Sequence, residues 1–225
     1  MDNKTKSEEL FENFCISHCL PLFRCVSASE YEIQIADYLL AFNGHVLVIE
    51  VKQPDVSPQD ETFLKNPVSD DSPAMCIEPG RRVRKMIDDA GPQLRQISHG
   101  ILPAMLVAFD NTEVPLPKLQ PHDILTGMYG LEQVVVGRST QKTRKSVLVD
   151  HRFGPKQKVS PDHNTTIGAV GVLTLFSDDA LQMDIYHNDY AANKISPDWF
   201  SFDGCRHWKR QPSERRDQYR EWMGV

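Results

Sequence analysis

Two acidic residues and a lysine in the first quarter of the chain have the types and spacing of a catalytic group. Asp37 is followed thirteen positions later by Glu50, and Lys52 lies two residues beyond it. Aliphatic stretches flank Asn43-Gly44, and this dipeptide between strand-like stretches is typical of a two-residue hairpin turn. Counting outward from that turn predicts that Asp37 lies directly opposite Glu50, with Lys52 on the same face because strand side chains alternate.

The chemistry of this arrangement follows from two like charges at close range. Directly opposed strand side chains have Cβ atoms about 4.5–5.5 Å apart, where two ionised carboxylates repel each other. Such a pair either raises a carboxyl pKa or shares a cation, and hard oxygen ligands suit Mg²⁺. Lys52 would then hold a water molecule or a phosphate oxygen. The alternative is a surface hairpin whose carboxylates simply pair with Lys52, but aliphatic residues on both faces favour a central, covered position.

Asp37 and the Glu50-Val51-Lys52 tripeptide together resemble the signature of the PD-(D/E)XK nuclease superfamily, although Ala36 stands where that signature has proline. The resemblance implies an α/β fold of the restriction-endonuclease-like type, with an αβββαβ core and a mixed central sheet flanked by helices. It also implies Mg²⁺, with Mn²⁺ able to substitute, bound by Asp37, Glu50 and the Val51 carbonyl. The implied activity is hydrolysis of phosphodiester bonds, with DNA favoured over RNA as the substrate.

The superfamily often carries one more carboxylate on its first helix. A helical pattern opens at Ser7, a plausible N-cap, and the Phe-Glu step of the superfamily corresponds here to Glu12. The resemblance therefore assigns a catalytic and metal-binding role to Glu12, with Glu9 as the alternative. Gln53 follows the lysine, and alternation turns it away from Lys52, which predicts a supporting role outside the metal's own ligands.

The remaining chain predicts further elements of one sheet. A helix is expected from Arg81, kinked or split at Gly91-Pro92, and it leads into a buried strand over 103–109 that is parallel to the strand of Glu50. A short helix over 122–129 and strands over 132–136, 164–176 and 183–186 follow. Residues 54–80 are proline-rich and read as a loop or insertion. A packed terminal helix is expected after residue 197.

Basic residues form two groups that are candidates for contact with a phosphate backbone. One group opens the helix that begins at Arg81, and the other lies in the stretch 138–158, which has seven Lys/Arg against one acid. A solvated surface is the competing interpretation for both groups. The residues assigned to nucleic-acid binding are Arg81, Arg82, Lys85, Lys142, Arg144, Lys145, Arg152, Lys156 and Lys158.

Size and composition set the wider limits. The chain has 225 residues and a formal net charge of −6, which predicts one nuclease-like domain over 1–225, with a core of about 7–136, an insertion over 54–80 and an extension over 137–225. The charge is uneven, since residues 1–80 sum to −9 and residues 81–225 to +3. Overall acidity argues against a general nucleic-acid coat protein. Five cysteines without a scaffold-like spacing, and no long apolar run, predict a cytoplasmic protein with no membrane partner.

Other functions remain open at this point. A zinc site is conceivable from Cys15, His18, Cys19 and Cys25, but the Cys-x-x-Cys spacing of common zinc sites is absent. A second nuclease pattern, of the HNH type, would use Asp150-His151 with Asn164, without a convincing third member. A non-cleaving module that binds nucleic acid or a nucleotide, or a subunit of a defence or repair assembly, is the main alternative class. A homodimer or a partner protein is compatible with each.

Overall fold

The computed structural model describes residues 4–25, 35–42, 44–54, 78–110, 118–137, 147–176, 180–215 and 217–225. Within these residues the chain forms three α-helices, a short 3₁₀ turn and ten strands, which makes it an α/β protein with a mixed, largely antiparallel sheet. The helices are α1 (Lys6–Ser17), α2 (Arg81–Ser98) and α3 (Pro121–Tyr129), and the 3₁₀ turn is Pro197–Phe200. The strands are β1 (Leu22–Arg24), β2 (Tyr38–Phe42), β3 (His45–Lys52), β4 (Ala104–Phe109), β5 (Glu132–Gly137), β6 (Val147–Phe153), β7 (Ile167–Leu175), β8 (Leu181–His187), β9 (Cys205–Arg210) and β10 (Trp222–Gly224).

Eight strands form the main sheet in the order β1-β2-β3-β4-β7-β8-β9-β10. The pairs β1/β2, β2/β3, β7/β8 and β9/β10 are antiparallel, and β3/β4, β4/β7 and β8/β9 are parallel. The predicted parallel pairing of the 103–109 strand with the strand of Glu50 is therefore confirmed. The first six described elements run α1, β1, β2, β3, α2, β4.

The sheet is covered on both faces, as the aliphatic faces of the β2–β3 hairpin predicted. On one face the α1 side chains Leu10, Phe11 and Phe14 join a buried cluster with residues of β2, β3, β4, β7 and β8. On the other face α2 and α3 bury their apolar sides against β3, β4 and β7. The central strands are thereby shielded from solvent, so a charged side chain on β3 carries a large desolvation cost unless it is paired.

The N-cap of helix α1 lies two residues earlier than its sequence pattern suggested. The N-cap is Thr5 and not Ser7, because Thr5 and Glu8 form a reciprocal capping box. The Thr5 hydroxyl accepts from the Glu8 amide at 3.3 Å, and the Thr5 amide donates to Glu8 Oε2 at 2.7 Å. Ser7 is buried in the first turn. A Thr-x-x-Glu box satisfies two otherwise unpaired amides, which explains the preferred start.

Helix α2 runs through Gly91-Pro92 without a break, so the predicted split is wrong. Its apolar side faces the sheet along its whole length, and this packing holds one helix together despite the backbone hydrogen bond that Pro92 lacks. The predicted helix over 122–129 is confirmed as α3. Most of the predicted insertion 54–80, residues 55–77, lies outside the described residues.

The C-terminal prediction is wrong. The aromatic and basic segment after residue 197 forms the 3₁₀ turn and strands β9 and β10 in place of a packed helix. Strand β9 pairs in parallel with β8, with Ile185 opposite His207 and Tyr186 opposite Trp208. This non-local pairing overrides the local propensity of the segment.

Strands β5 and β6 form a separate two-stranded ribbon outside the main sheet. The strand predicted over 132–136 is thus confirmed, but its partner is β6, in the basic stretch. Near its base the ribbon is tied to the chain end, since Tyr219 N–H donates to His151 O at 3.0 Å and Phe153 N–H donates to Asp217 O at 2.7 Å. Its outer part exposes six aliphatic side chains: Val134, Val135, Val136, Val147, Leu148 and Val149.

Candidate active site

The β2–β3 register brings the predicted acidic pair together. Leu40 lies opposite Leu47 and Tyr38 opposite Ile49, so the next pair along the hairpin is Asp37 and Glu50. Gly44, in the turn, has φ +77°, a left-handed conformation that glycine adopts without strain. The predicted two-residue turn and the predicted opposition of the two carboxylates are both in agreement with this register.

Each carboxylate of the pair accepts a backbone hydrogen bond from the other's strand. The Asp37 amide donates to Glu50 Oε2 at 3.2 Å, and the Val51 amide donates to Asp37 Oδ2 at 2.7 Å. These two bonds fix both side chains at the point where β2 begins and β3 approaches its end. Backbone hydrogen bonds at the end of the β2–β3 hairpin therefore hold both acids in place.

Lys52 contacts the remaining oxygen of Glu50. Its Nζ lies 2.5 Å from Glu50 Oε1, so the two side chains form an ion pair. The Glu50 side chain is fully buried, whereas 28% of the Lys52 side chain is exposed. Apart from this ammonium, Glu50 Oε1 has no hydrogen-bond donor among the described residues, so this buried carboxylate oxygen depends on a nearby cation.

Burial is the main influence on the ionisation of both acids. It raises the pKa of Glu50 to about 7, with a further contribution from the charge of Asp37, and Lys52 only partly offsets these effects. The pKa of Asp37 is also raised, chiefly by burial, while the bond from the Val51 amide opposes the shift. A proton or a metal cation would relieve the repulsion between these two groups near neutral pH.

The carboxylates of α1 occupy three different environments. Glu12 accepts a bond from the Tyr38 hydroxyl at 2.9 Å and pairs with Lys4 Nζ at 2.6 Å, contacts on the α1 face of the sheet. Glu9 is exposed and pairs with Lys6 at 3.5 Å. Glu8 is buried, and its charge contributes to the raised pKa of Asp37. Glu8 is thus the α1 acid whose charge acts on Asp37, a position that the sequence prediction did not assign.

Two residues of the edge strand region also approach the acids. Cys25 N–H donates to Asp37 O at 2.8 Å, which continues the β1–β2 register and sets Cys25 opposite Asp37. Burial raises the pKa of the Cys25 thiol, and the charges of Asp37 and Glu50 add to this. Arg24 lies 3.3 Å from Glu8 Oε1. The three-residue strand β1 is too short to be recognised from periodicity, so the sequence held no clear signal for either residue.

The residues present fit a divalent metal ion in part. Two carboxylates on one face and a buried Glu50 oxygen without a donor match the oxygen ligands that Mg²⁺ prefers. In the described ranges, no group of three His, Cys, Asp or Glu side chains is arranged to hold a metal. The predicted Val51 carbonyl is a backbone ligand and lies outside that search.

Most of the predicted nucleic-acid contacts that the structure describes are engaged with neighbouring groups. Lys156 pairs with Glu78 and Lys158 with Asp88, both at 2.5 Å, and Arg152 lies 3.8 Å from Asp150. An interaction partner is also present for Arg81, Arg82 and Lys85. The same holds for Gln53, which was predicted to support the metal site. Lys142, Arg144 and Lys145 lie outside the described residues. The net basic character of these surfaces is therefore smaller than the residue count suggested.

Neither known families nor known structures supply an identification. Comparison of the chain with family models, curated proteins and solved structures found no match. The functional argument therefore depends on the geometry of Asp37, Glu50 and Lys52. None of the described helices is long and apolar enough to cross a bilayer.

The HNH-type alternative gains no support from the contacts of its members. His151 bonds Glu132 at 2.7 Å and stacks on Tyr219. Asp150 is paired with Arg215 at 3.1 Å, and the Asn164 amide donates to the Lys158 carbonyl. Each of these side chains serves local structure in β6 or in the segment that follows it.

Proposed function

We propose that this chain is a Mg²⁺-dependent nuclease of the PD-(D/E)XK type, with Asp37, Glu50 and Lys52 as its catalytic residues. The observation that carries the proposal is the β2–β3 register, which sets Asp37 opposite Glu50. Each carboxylate accepts a hydrogen bond from a backbone amide of the opposite chain segment, and the Lys52 ammonium contacts Glu50. The described element order α1, β1, β2, β3, α2, β4 agrees with the αβββαβ core of that superfamily.

The acids hold charge that a metal ion would neutralise. Asp37 and Glu50, with the Val51 carbonyl, are the proposed ligands, and Mn²⁺ is expected to substitute for Mg²⁺. The bound ion would polarise the scissile phosphate and lower the pKa of a water nucleophile. Glu8, which acts electrostatically on Asp37, replaces Glu12 as the α1 acid that we favour for an outer role.

Lys52 has the position expected of a residue that stabilises developing negative charge. Its ammonium is held beside Glu50 but remains partly exposed, so it can also reach a phosphate oxygen or an attacking water. A fixed cation next to the reacting phosphate contributes transition-state stabilisation without reorganisation of solvent. Once a metal ion binds Glu50, Lys52 is no longer required as its counter-ion.

The proposal is tested with plasmid DNA, single-stranded DNA and single-stranded RNA, each incubated with EDTA, Mg²⁺ or Mn²⁺. The wild-type protein should cleave DNA only with a divalent ion, and Asp37→Asn and Lys52→Met should each reduce the rate by at least about a hundredfold. Glu214→Gln changes an exposed acid and should cleave at the wild-type rate. Circular dichroism would establish that each variant is folded.

Two results would contradict the proposal. Cleavage that survives in both Asp37→Asn and Lys52→Met would assign the activity to another site or to a contaminant. Binding of nucleic acid without cleavage of DNA or RNA would favour the non-cleaving module. That alternative is consistent with the ion pair between Lys52 and Glu50, which holds the lysine in place even without a metal ion.

A further inference from the structure

A second candidate site lies at the opposite end of the strands of the main sheet. A cavity of about 380 Å³ opens between the carboxyl end of β8 and the loop over 188–197. Strand β8 is antiparallel to β7, and β7 is parallel to β4, which is parallel to β3. The carboxyl end of β8 therefore lies at the opposite end of the sheet from Glu50 and Lys52. The cavity falls in the size range of small-molecule sites.

A pair of buried histidines supplies the cavity with a hydrogen-bond acceptor. His187 Nε2 lies 2.9 Å from His207 Nδ1, and His207 Nε2 lies 3.4 Å from the Phe200 carbonyl. A carbonyl can only accept, so His207 carries its proton on Nε2 and its Nδ1 accepts from His187 Nε2–H. The remaining nitrogen of His187, Nδ1, is then unprotonated.

The histidine acceptor stays neutral and faces the cavity. Burial lowers the pKa of His187 to about 3, and the pKa of His207 is also lowered, chiefly by burial. His187 lines the cavity, and the ring hydrogen bond to His207 is made through its Nε2. Since Nε2 is the donor to His207, Nδ1 of this 95% buried residue is the ring atom that can accept a hydrogen bond from a ligand.

Two lysines give the same cavity a positive charge. The β8–β9 ladder pairs Tyr186 with Trp208, so the next pair is His187 and Lys209, and Lys194 lines the cavity from the loop. Within the described ranges neither lysine forms an ion pair with a carboxylate, unlike the paired lysines of the basic stretch.

The acid in the cavity wall does not cancel this charge. Asp189 is held by two guanidinium groups, with Arg210 Nη2 at 2.6 Å and Arg220 Nη2 at 3.2 Å. Its carboxylate is therefore already paired with two positive charges. The lining keeps an excess of positive charge, which favours an anionic ligand.

The loop that closes the cavity is fixed in place. Asn188 N–H donates to Gly168 O at 2.9 Å, Ala192 N–H to Thr165 O at 2.8 Å, and the Asn193 amide to Gly100 O at 2.8 Å. The Ile195 side chain is buried in the core beneath the sheet. A wall held at four points presents its polar groups without first having to order them, which lowers the cost of binding.

We propose that this cavity binds a sugar phosphate, either a free nucleotide or the phosphorylated end of a nucleic-acid strand. Lys194 and Lys209 bind the phosphate group, and His187 Nδ1 accepts a hydrogen bond from a sugar hydroxyl. The phosphate alone would leave the imidazole acceptor unused, and a neutral sugar would leave two lysines without a counter-charge. This site is separate from the proposed catalytic group and does not depend on nuclease activity.

Isothermal titration calorimetry in phosphate-free buffer with EDTA tests the proposal. The probes are uridine 5′-monophosphate, uridine, ribose 5-phosphate and inorganic phosphate. We expect saturable binding of both phosphorylated probes and at least tenfold weaker binding of uridine. Lys209→Met and Lys194→Met should each weaken uridine monophosphate binding about tenfold, whereas Lys118→Met, at an exposed lysine outside the cavity lining, should not change it.

The histidine acceptor has its own readout. His187→Phe keeps a ring in the core but removes Nδ1, and it should weaken ribose 5-phosphate more than inorganic phosphate. Urea unfolding would show that the variant is folded. Absence of saturable binding by both phosphorylated probes would overturn the proposal, as would equal affinity for uridine and its monophosphate or unchanged binding in both lysine variants.

Short oligonucleotides distinguish the two sources of the ligand. A 5′-phosphorylated hexanucleotide that binds at least tenfold more tightly than its 5′-hydroxyl counterpart would support the cavity as a strand-end site. Equal binding of the two hexanucleotides, together with saturable binding of the mononucleotide, would support a free nucleotide as the ligand. Metal-free conditions prevent cleavage, so the result is independent of the nuclease proposal.

Discussion

Replacement of Glu50 by glutamine should make the metal-free protein more stable. Glutamine has nearly the same shape but no charge, so it removes the carboxylate that burial and Asp37 disfavour. Burial raises the pKa of Glu50 from 4.5 to about 7, and each tenfold change in proton affinity corresponds to about 1.4 kcal/mol. The ionised form of Glu50 therefore costs the fold about 3 kcal/mol. That pKa already contains the attraction of Lys52, so the lost ion pair needs no separate correction.

The effect has a defined pH window. Below pH 4.5 the carboxyl group is protonated in both folded and unfolded chains, so wild type and Glu50→Gln should be equally stable. Between pH 4.5 and about 7 the folded chain retains the proton that the unfolded chain releases, so wild-type stability falls as pH rises. Above pH 7 the difference should be constant at about 3 kcal/mol, or about 6–12 °C in Tm.

Urea unfolding followed by circular dichroism at pH 4.5 and pH 8, with EDTA, measures this difference. Mg²⁺ should then stabilise wild type, by about 2.7 kcal/mol at a hundred times its Kd, and should stabilise Glu50→Gln far less. Glu214→Gln, at an exposed position, serves as the matched control. If Glu50→Gln is no more stable than wild type at pH 8, or is equally shifted at both pH values, the argument from buried charge is wrong.

Three further predictions concern Lys52, the start of α1 and the buried arginine. Lys52→Met should lose cleavage about a hundredfold but keep the Mg²⁺-induced rise in Tm; loss of both would make Lys52 a structural residue. Thr5→Ala should lower the free energy of unfolding by about 1 kcal/mol because it breaks the capping box with Glu8, and an unchanged urea midpoint would contradict that role. Arg210→Met should cost about 3 kcal/mol in urea unfolding because it removes a fully buried partner of Asp189, and a loss below about 1 kcal/mol would show that Arg220 suffices.

The β2–β3 hairpin was predictable because its determinants are local. The Asn43-Gly44 pair and the alternation of apolar residues define a turn and a register without reference to the rest of the chain. One residue of error would have placed Asp37 and Glu50 on opposite faces. The parallel strand β4 was predictable for a related reason, because a helix between two buried strands favours a parallel crossover.

The structural features that could not be predicted from the sequence depend on residues that are distant in the chain. Strand β9 has few local strand signals, and it forms because β8 offers an unpaired edge next to it. The proposed role of Glu8 depends on a capping box at the start of α1 that engages its carboxylate, whereas the sequence interpretation assigned the role to Glu12, with Glu9 as the alternative. Likewise, His187 and His207 are twenty positions apart, and only the parallel ladder brings their rings into contact.

The β5–β6 ribbon has a consequence for the behaviour of the protein in concentrated solution. Consecutive exposed valines, Val134 to Val136, alternate in direction, so a neighbour packed against one face would still leave aliphatic surface on the other. Ribbons of this kind recruit further strands edge to edge, and natural proteins counter this with charged residues. Exchange of Val147 and Val149 for lysine would add charge to the ribbon, and we expect light scattering at high protein concentration to show less association for this variant than for the wild type.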